Sequence, residues 1–136
     1  MSYNIGIIVS ENYSNTRKIK EEIFKLKEGF KNYLTIYMIN DNSFLNIIVK
    51  KFIIELGIDF KEILKYDENY SQYCVNPSYF YNKKFRKEYF HIRNKEFIKL
   101  CKGIYFFIDK KDENKGISDI LLKEVIKKNK DKIILN

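Results

Sequence analysis

The chain has 136 residues, the length of one ordinary domain, enough to bury roughly two-thirds of the surface its unfolded form exposes. Its longest apolar runs, at residues 5–9 and 104–108, fall far short of the roughly 20 residues that cross a bilayer, and the sequence opens without a basic segment followed by an apolar signal core. A membrane protein and an exported one are disfavoured, and the cytoplasm is the expected compartment. The two cysteines, Cys74 and Cys101, are too few for a disulfide framework and read as free thiols in a reducing environment. The formal charge of +8 raises the possibility of a polyanion partner. Only three of the cations are arginines (Arg17, Arg86, Arg93), the lysines are spread over every segment, and no basic stripe with interleaved aromatics stands out at helical or strand spacing. A basic nucleic-acid-binding domain is therefore kept as an alternative.

Residues 4–10 form a short β-branched apolar run ending in polar residues, the pattern of a strand buried on both faces. Ser14 or Asn15 can cap a helix carrying Ile19, Ile23, Leu26 and Phe30 on one face and stopping near Gly29. Residues 34–38 read as a second strand. From Ser43 the apolar positions Phe44, Ile47, Ile48, Phe52 and Leu56 have helical spacing, with Gly57 as the stop and residues 58–64 as a third strand. Residues 65–82 break the rhythm, with five tyrosines around the only proline, Pro77; irregular stretches of this length inside a domain usually serve as functional loops or lids. A helix is expected over 83–101, a strand over 103–109, a polar loop to Gly116, a helix marked by Ile117, Leu121, Leu122, Val125 and Ile126, and a last strand over 132–135.

Strict alternation of strand and helix implies an α/β, three-layer, Rossmann-like domain: five mainly parallel strands with helices on both faces, because parallel neighbours need right-handed crossovers. In that architecture ligands sit outside the carboxyl ends of the strands, where the strand order reverses. The segments 10–16, 39–46, 65–82 and 109–119 are therefore the places to look for a site.

Two segments there suggest chemistry. Arg93 falls on the helical row Phe85, Tyr89, Arg93, Phe97, so a charged fork lines up with side chains expected to pack inward; either it pairs a ligand anion, with Asn94 beside it, or it covers apolar surface and meets a structural carboxylate. The stretch 108–119 leaves a strand through a polar loop into a helix. Its Asn114, Gly116 and Ser118, with the free N–H groups of the helix start, suit a phosphate or ribose, while an ordinary start capped by Ser118 or Asn114 is the simpler reading. His91, the only histidine, has no metal-ligand spacing around it, so no metal and no cofactor are expected, and Cys101 reads as packed rather than nucleophilic.

Together, Arg93-Asn94, the strand at 103–109 and Lys115-Gly116-Ile117 resemble the SLOG superfamily, a Rossmann-like group that includes the lonely-guy phosphoribohydrolases and the small YspA-like proteins, the second being the nearer likeness. The resemblance covers the whole chain. It implies strand order 3-2-1-4-5, a nucleotide or nucleotide-derived ligand bound as a signal or sequestered, and a possible homodimer. Residues it brings into the site are Ser10 and Asn12 after the first strand, Asn40 and Asn46 after the second, Arg93 and Asn94, and Asn114, Gly116, Ser118 and Asp119. The sequence departs from the group where its glycine-rich turn reads N-D-N-S-F-L-N at 40–46. It also departs where the hydrolases' glutamate is Ile120, leaving Asp119 or Glu96 to serve if a nucleoside monophosphate is cleaved at its glycosidic bond.

Overall fold

The computed structural model describes residues 3–39, 43–128 and 130–135. Five strands, β1 (Tyr3–Val9), β2 (Leu34–Ile39), β3 (Asp59–Ile63), β4 (Gly103–Phe107) and β5 (Asp131–Leu135), form one sheet in the order β3-β2-β1-β4-β5. Every neighbouring pair is parallel, with Ile5 opposite both Ile36 and Gly103 in the centre. The helices α1 (Thr16–Phe30), α2 (Phe44–Glu55), α3 (Glu88–Leu100) and α4 (Gly116–Lys127) complete a three-layer Rossmann-like α/β fold. Among the described residues no helix is long and apolar enough to cross a membrane.

Because successive strand residues point to opposite faces, β1 feeds two cores. Ile5 and Ile7 join Leu34, Ile36 and Met38 beneath Ile19, Ile23, Val49 and Ile53 of α1 and α2. Ile8 joins Ile104 and Phe106 beneath Phe97 and Ile98 of α3 and Leu121 and Val125 of α4. On this second face β1 carries Gly6, where a Cβ would lie 2.6 Å from Phe97 Cζ and 2.7 Å from Cys101 Sγ. Glycine is required there by the close approach of α3 to the central strand.

The helix starts follow local chemistry. Asn15 caps α1, its side chain accepting from the Lys18 N–H at 3.1 Å, and the Ser43 hydroxyl accepts from the Asn46 N–H at 3.2 Å at the head of α2. Gly57 adopts a φ of 73° just past α2, the left-handed turn that glycine permits.

Several expectations need correction. The inward row of α2 is Asn46, Val49 and Ile53, whereas Phe44 is 80% exposed and Ile47 also faces outward. Apolar residues surround α2 almost completely, so their spacing alone does not select a face. Helix α3 starts at Glu88 rather than at 83, which leaves the exposed Phe85 off the helical row of Arg93. The inward row of α4 is Ser118, Leu121 and Val125, with Ile117 and Ile126 exposed, and its N-cap is Lys115, so neither Asn114 nor Ser118 caps it. Asn40 lies outside the described residues.

Candidate functional site

The strand order reverses at β1, whose neighbours β2 and β4 continue in opposite directions along the chain, and the loops leaving β1 and β4 therefore border a crevice. Ser10 holds the two together: its N–H donates to the Phe107 carbonyl at 2.8 Å and its hydroxyl accepts from the Asp109 N–H at 2.9 Å. Two residues on, the Asn12 backbone N–H and side-chain Nδ2 both donate to the Asp112 carboxylate, each at 2.7 Å. Burial works against the charged form of Asp112, but hydrogen bonds from Asn12 and Ser10, with Lys115 nearby, outweigh it and hold the carboxyl below the usual aspartate range. An internal anion thus occupies the donors that the turn after β1 presents.

Past Asp112 the chain enters α4 through Asn114 at φ 63° and Gly116 at φ 73°. A cleft of about 220 Å³ opens beside this turn, lined by Ile108, Asp112, Glu113, Asn114, Asp119, Leu122 and Ile134. Its polar side is acidic, and Asp119 pairs with the exposed Lys123 at 3.0 Å. Among the described residues no three histidines, cysteines or carboxylates converge in a way that could hold a metal ion. Two further clefts lie toward the amino ends of the strands, one walled by Tyr3, Gly103 and Asp131, the other by Gly57, Asp59 and Phe60. Of the three, the acidic cleft is the one placed at the carboxyl end of the sheet.

Ser10, Asn12, Asn114, Gly116 and Asp119 thus share one neighbourhood. Ser118 belongs to the inward row of α4 and is buried. Asn46 is buried in the first turn of α2, the helix that follows β2. Ile120, where the resemblance places a glutamate, is 55% exposed.

Arg93 and Asn94 lie elsewhere. Arg93 is 3% exposed, and its Nε and Nη2 both donate to Asn94 Oδ1 at 3.4 Å, with the guanidinium 5.3 Å from the centre of the Phe90 ring. Arg93 also acts on Glu68, whose carboxyl is raised by burial and drawn back by Lys65 and Arg93. This neighbourhood is the tyrosine-rich segment folded onto α3. Tyr66 packs against Phe80, Tyr81 and Tyr89 with ring centres 5.2–5.9 Å apart, and Asn76 Nδ2 donates to Glu96 Oε2 at 3.2 Å. Burial first, then Glu96 and Tyr89, push the Tyr66 phenol upward. Arg93 is not among the residues lining the acidic cleft.

Three participants escaped sequence reasoning. Asp112 is one; its only sequence signal is an acid following a strand in a polar loop. Tyr13 is another: its ring packs edge-on against Phe107, and its buried hydroxyl has no hydrogen-bond partner among the described residues. The third is Glu62, 1% exposed inside a strand, which meets Lys50 Nζ at 3.3 Å and accepts from Ser71 Oγ. That pair ties the segment after β3 back to α2, with Val75 N–H donating to the Glu62 carbonyl at 3.0 Å. Comparison with protein-family models, curated proteins and solved structures finds no match to this chain.

Proposed function

We propose that the protein binds a nucleotide or nucleotide-derived small molecule at the carboxyl ends of its strands, with the sugar portion in the cleft between β4, α4 and β5. The observation that supports this reading is the cleft itself, where apolar walls from Ile108, Leu122 and Ile134 face the acceptors Asp112, Glu113, Asn114 and Asp119. Pockets of this kind combine a mostly apolar lining with a few placed polar groups. Carboxylates accept from hydroxyl and amino groups, so a ribose diol or a base amine fits the lining better than a phosphate does. At about 220 Å³ the cleft takes part of such a ligand and leaves the rest outside. The SLOG resemblance belongs to this proposal and carries the sensor or sequestering role.

Mass spectrometry of small molecules released from the purified, denatured protein, together with thermal melts in the presence of nucleosides and nucleoside monophosphates, tests it. Bound nucleotide-like molecules, or a raised melting temperature lost in Asp119→Asn and Asn114→Ala, are the expected results. Release of no such molecule and unchanged melts with every nucleoside and nucleotide overturn the reading. Asp119 on the cleft wall supports a second reading, hydrolysis of the glycosidic bond of a nucleoside monophosphate with Asp119 as the acid/base. Liberated free base on incubation separates hydrolysis from binding alone.

A further inference from the structure

A second surface is built for a different kind of partner. Asn82, at a left-handed φ of 64°, turns the chain out of the tyrosine cluster. The N–H groups of Asn82 and Lys83 donate to the Glu68 and Tyr66 carbonyls at 3.1 and 2.9 Å, and residues 83–86 then belong to no helix or strand. Lys83, Lys84, Arg86 and Lys87 fill four of the five positions 83–87, and all four are exposed.

The ion pairs among the described residues use Arg17, Lys18, Lys25, Lys50, Lys65 and Lys123, and none of the four takes part. Within 83–87 there is no acid, and the residue that follows, Glu88, is exposed and joins no ion pair among the described residues. Lys87 is also the N-cap of α3 and gives no side-chain cap. Four cations therefore lead into the positive pole of α3, where Glu88 is the one acid of the first turn, and a polyanion relieves the remaining excess of positive charge.

Two aromatic rings complete the surface. Phe85 is 51% exposed and is backed by Phe90, at 6.2 Å between ring centres, and by Lys65 Nζ at 5.6 Å. Tyr79 is 71% exposed and is backed by Phe80 at 4.7 Å. Each ring has a packed neighbour and keeps about half or more of its surface exposed. Cations that follow phosphates beside rings on which bases stack are the two components of a single-strand-binding surface, and such rings reach bases only where the strand is unpaired. An amphipathic helix, the usual device for lying on an anionic membrane, is absent from this extended segment.

We infer that residues 79–87 bind single-stranded nucleic acid, with Lys83, Lys84, Arg86 and Lys87 on phosphates and Tyr79 and Phe85 stacked on bases. This surface is independent of the acidic cleft, so the two readings stand or fall separately.

The test is fluorescence anisotropy of the full chain with a labelled mixed-sequence 20-mer, as single strand and as duplex, over a salt series. The single strand is expected to bind more tightly than the duplex, with affinity falling steeply as salt rises. Replacing all four cations by alanine should weaken binding at least about tenfold and flatten the logarithmic salt slope by about 3. The pair Tyr79→Ala and Phe85→Ala should weaken it about fivefold or more and leave the slope unchanged. Thermal melts should not move, since all six positions are exposed; if the fourfold variant fails to fold, Lys84→Glu alone supplies the charge test. No binding at low salt, wild-type affinity in the charge variants, preference for the duplex, or binding confined to phosphatidylserine vesicles overturns the inference.

Discussion

Asn12 and Asp112, 100 residues apart in sequence, are joined by two hydrogen bonds of 2.7 Å, so the turns that leave β1 and β4 form one structural unit. Hydrogen bonds to an ionised partner contribute about 1.5–3 kcal/mol, and Asp112→Asn or Asp112→Ala is expected to lower stability by that order in urea denaturation. The pH dependence has a definite sign. The folded carboxyl titrates below its unfolded value of about 3.9, so its contribution is complete above that value and is lost as pH falls through the folded one. The wild-type acid limb should therefore be steeper than that of Asp112→Asn. Equal acid limbs remove Asp112 from the stabilising groups.

The contact of Gly6 with Phe97 predicts a second result. Gly6→Ala forces a Cβ to 2.6 Å from Phe97 Cζ, and overpacking of this kind costs about 1–3 kcal/mol. Urea midpoints should show this loss, and Phe97→Leu in the Gly6→Ala background should cost less than Phe97→Leu alone. Additive losses mean that the ring and the glycine do not compete for the same space.

Lys50 and Glu62 supply a third. Glu62 is 1% exposed and Lys50 sits 5.1 Å from the Tyr73 ring centre, so Lys50→Met leaves a buried carboxylate without its cation. A loss of about 3–5 kcal/mol is expected, with Lys50→Met/Glu62→Gln recovering most of it. Hydrogen exchange at residues 71–75, which Ser71 and Val75 attach to Glu62, should quicken in the single variant only. A single variant as stable as wild type contradicts the assignment.

For Arg93 the expected outcome is structural. Arg93→Ala should lower the melting temperature without ligand and raise the Glu68 pKa further, because Lys65 alone then opposes the burial of that carboxyl. Arg93→Lys should restore little, since an ammonium lacks the two-point geometry that meets Asn94. Calorimetry with a nucleotide beside the melt is decisive: lost affinity with an unchanged melt assigns Arg93 to the ligand instead.

Much of the fold was legible because local periodicity and global topology agree. Ile19, Ile23 and Leu26 mark the buried face of α1 as their spacing says, and the alternation of elements yields the parallel sheet. The strand order 3-2-1-4-5 came from the SLOG resemblance, and the sheet has it. Periodicity failed on α2, where apolar residues on nearly every side leave the face to be chosen by tertiary packing, and at Phe85, which the late start of α3 removes from the helical row. The inward turn of Ser118 has the same origin, since a small hydroxyl lies on the row with Leu121 and Val125 while the larger Ile117 points outward. The place of the cleft, at the carboxyl ends of the strands, was legible from the topology alone. That Asn12 would meet Asp112 has no local signal, because the partners are brought together only when β1 and β4 become neighbours. The charged segment 83–87 was hidden by overall lysine content; its character lies in exposure and in four cations followed by the single acid Glu88, which a composition count does not separate.

The outer position of β5 gives the molecule an uneven cooperativity. Four of its five residues are exposed, including Ile133 and Ile134, and the strand pairs with β4 alone. It is fastened near both ends, by Lys130 Nζ on the Cys101 carbonyl at 2.8 Å and by the Ile108 N–H on the Leu135 carbonyl at 2.9 Å. A segment with little buried apolar surface opens by sub-global fluctuation, ahead of a centre buried on both faces. Because Ile134 also walls the acidic cleft, each such opening unmakes one side of it. The cleft and the most exposed strand therefore share a fluctuation, and an occupant of the cleft would slow the exchange of amides well outside its own contacts.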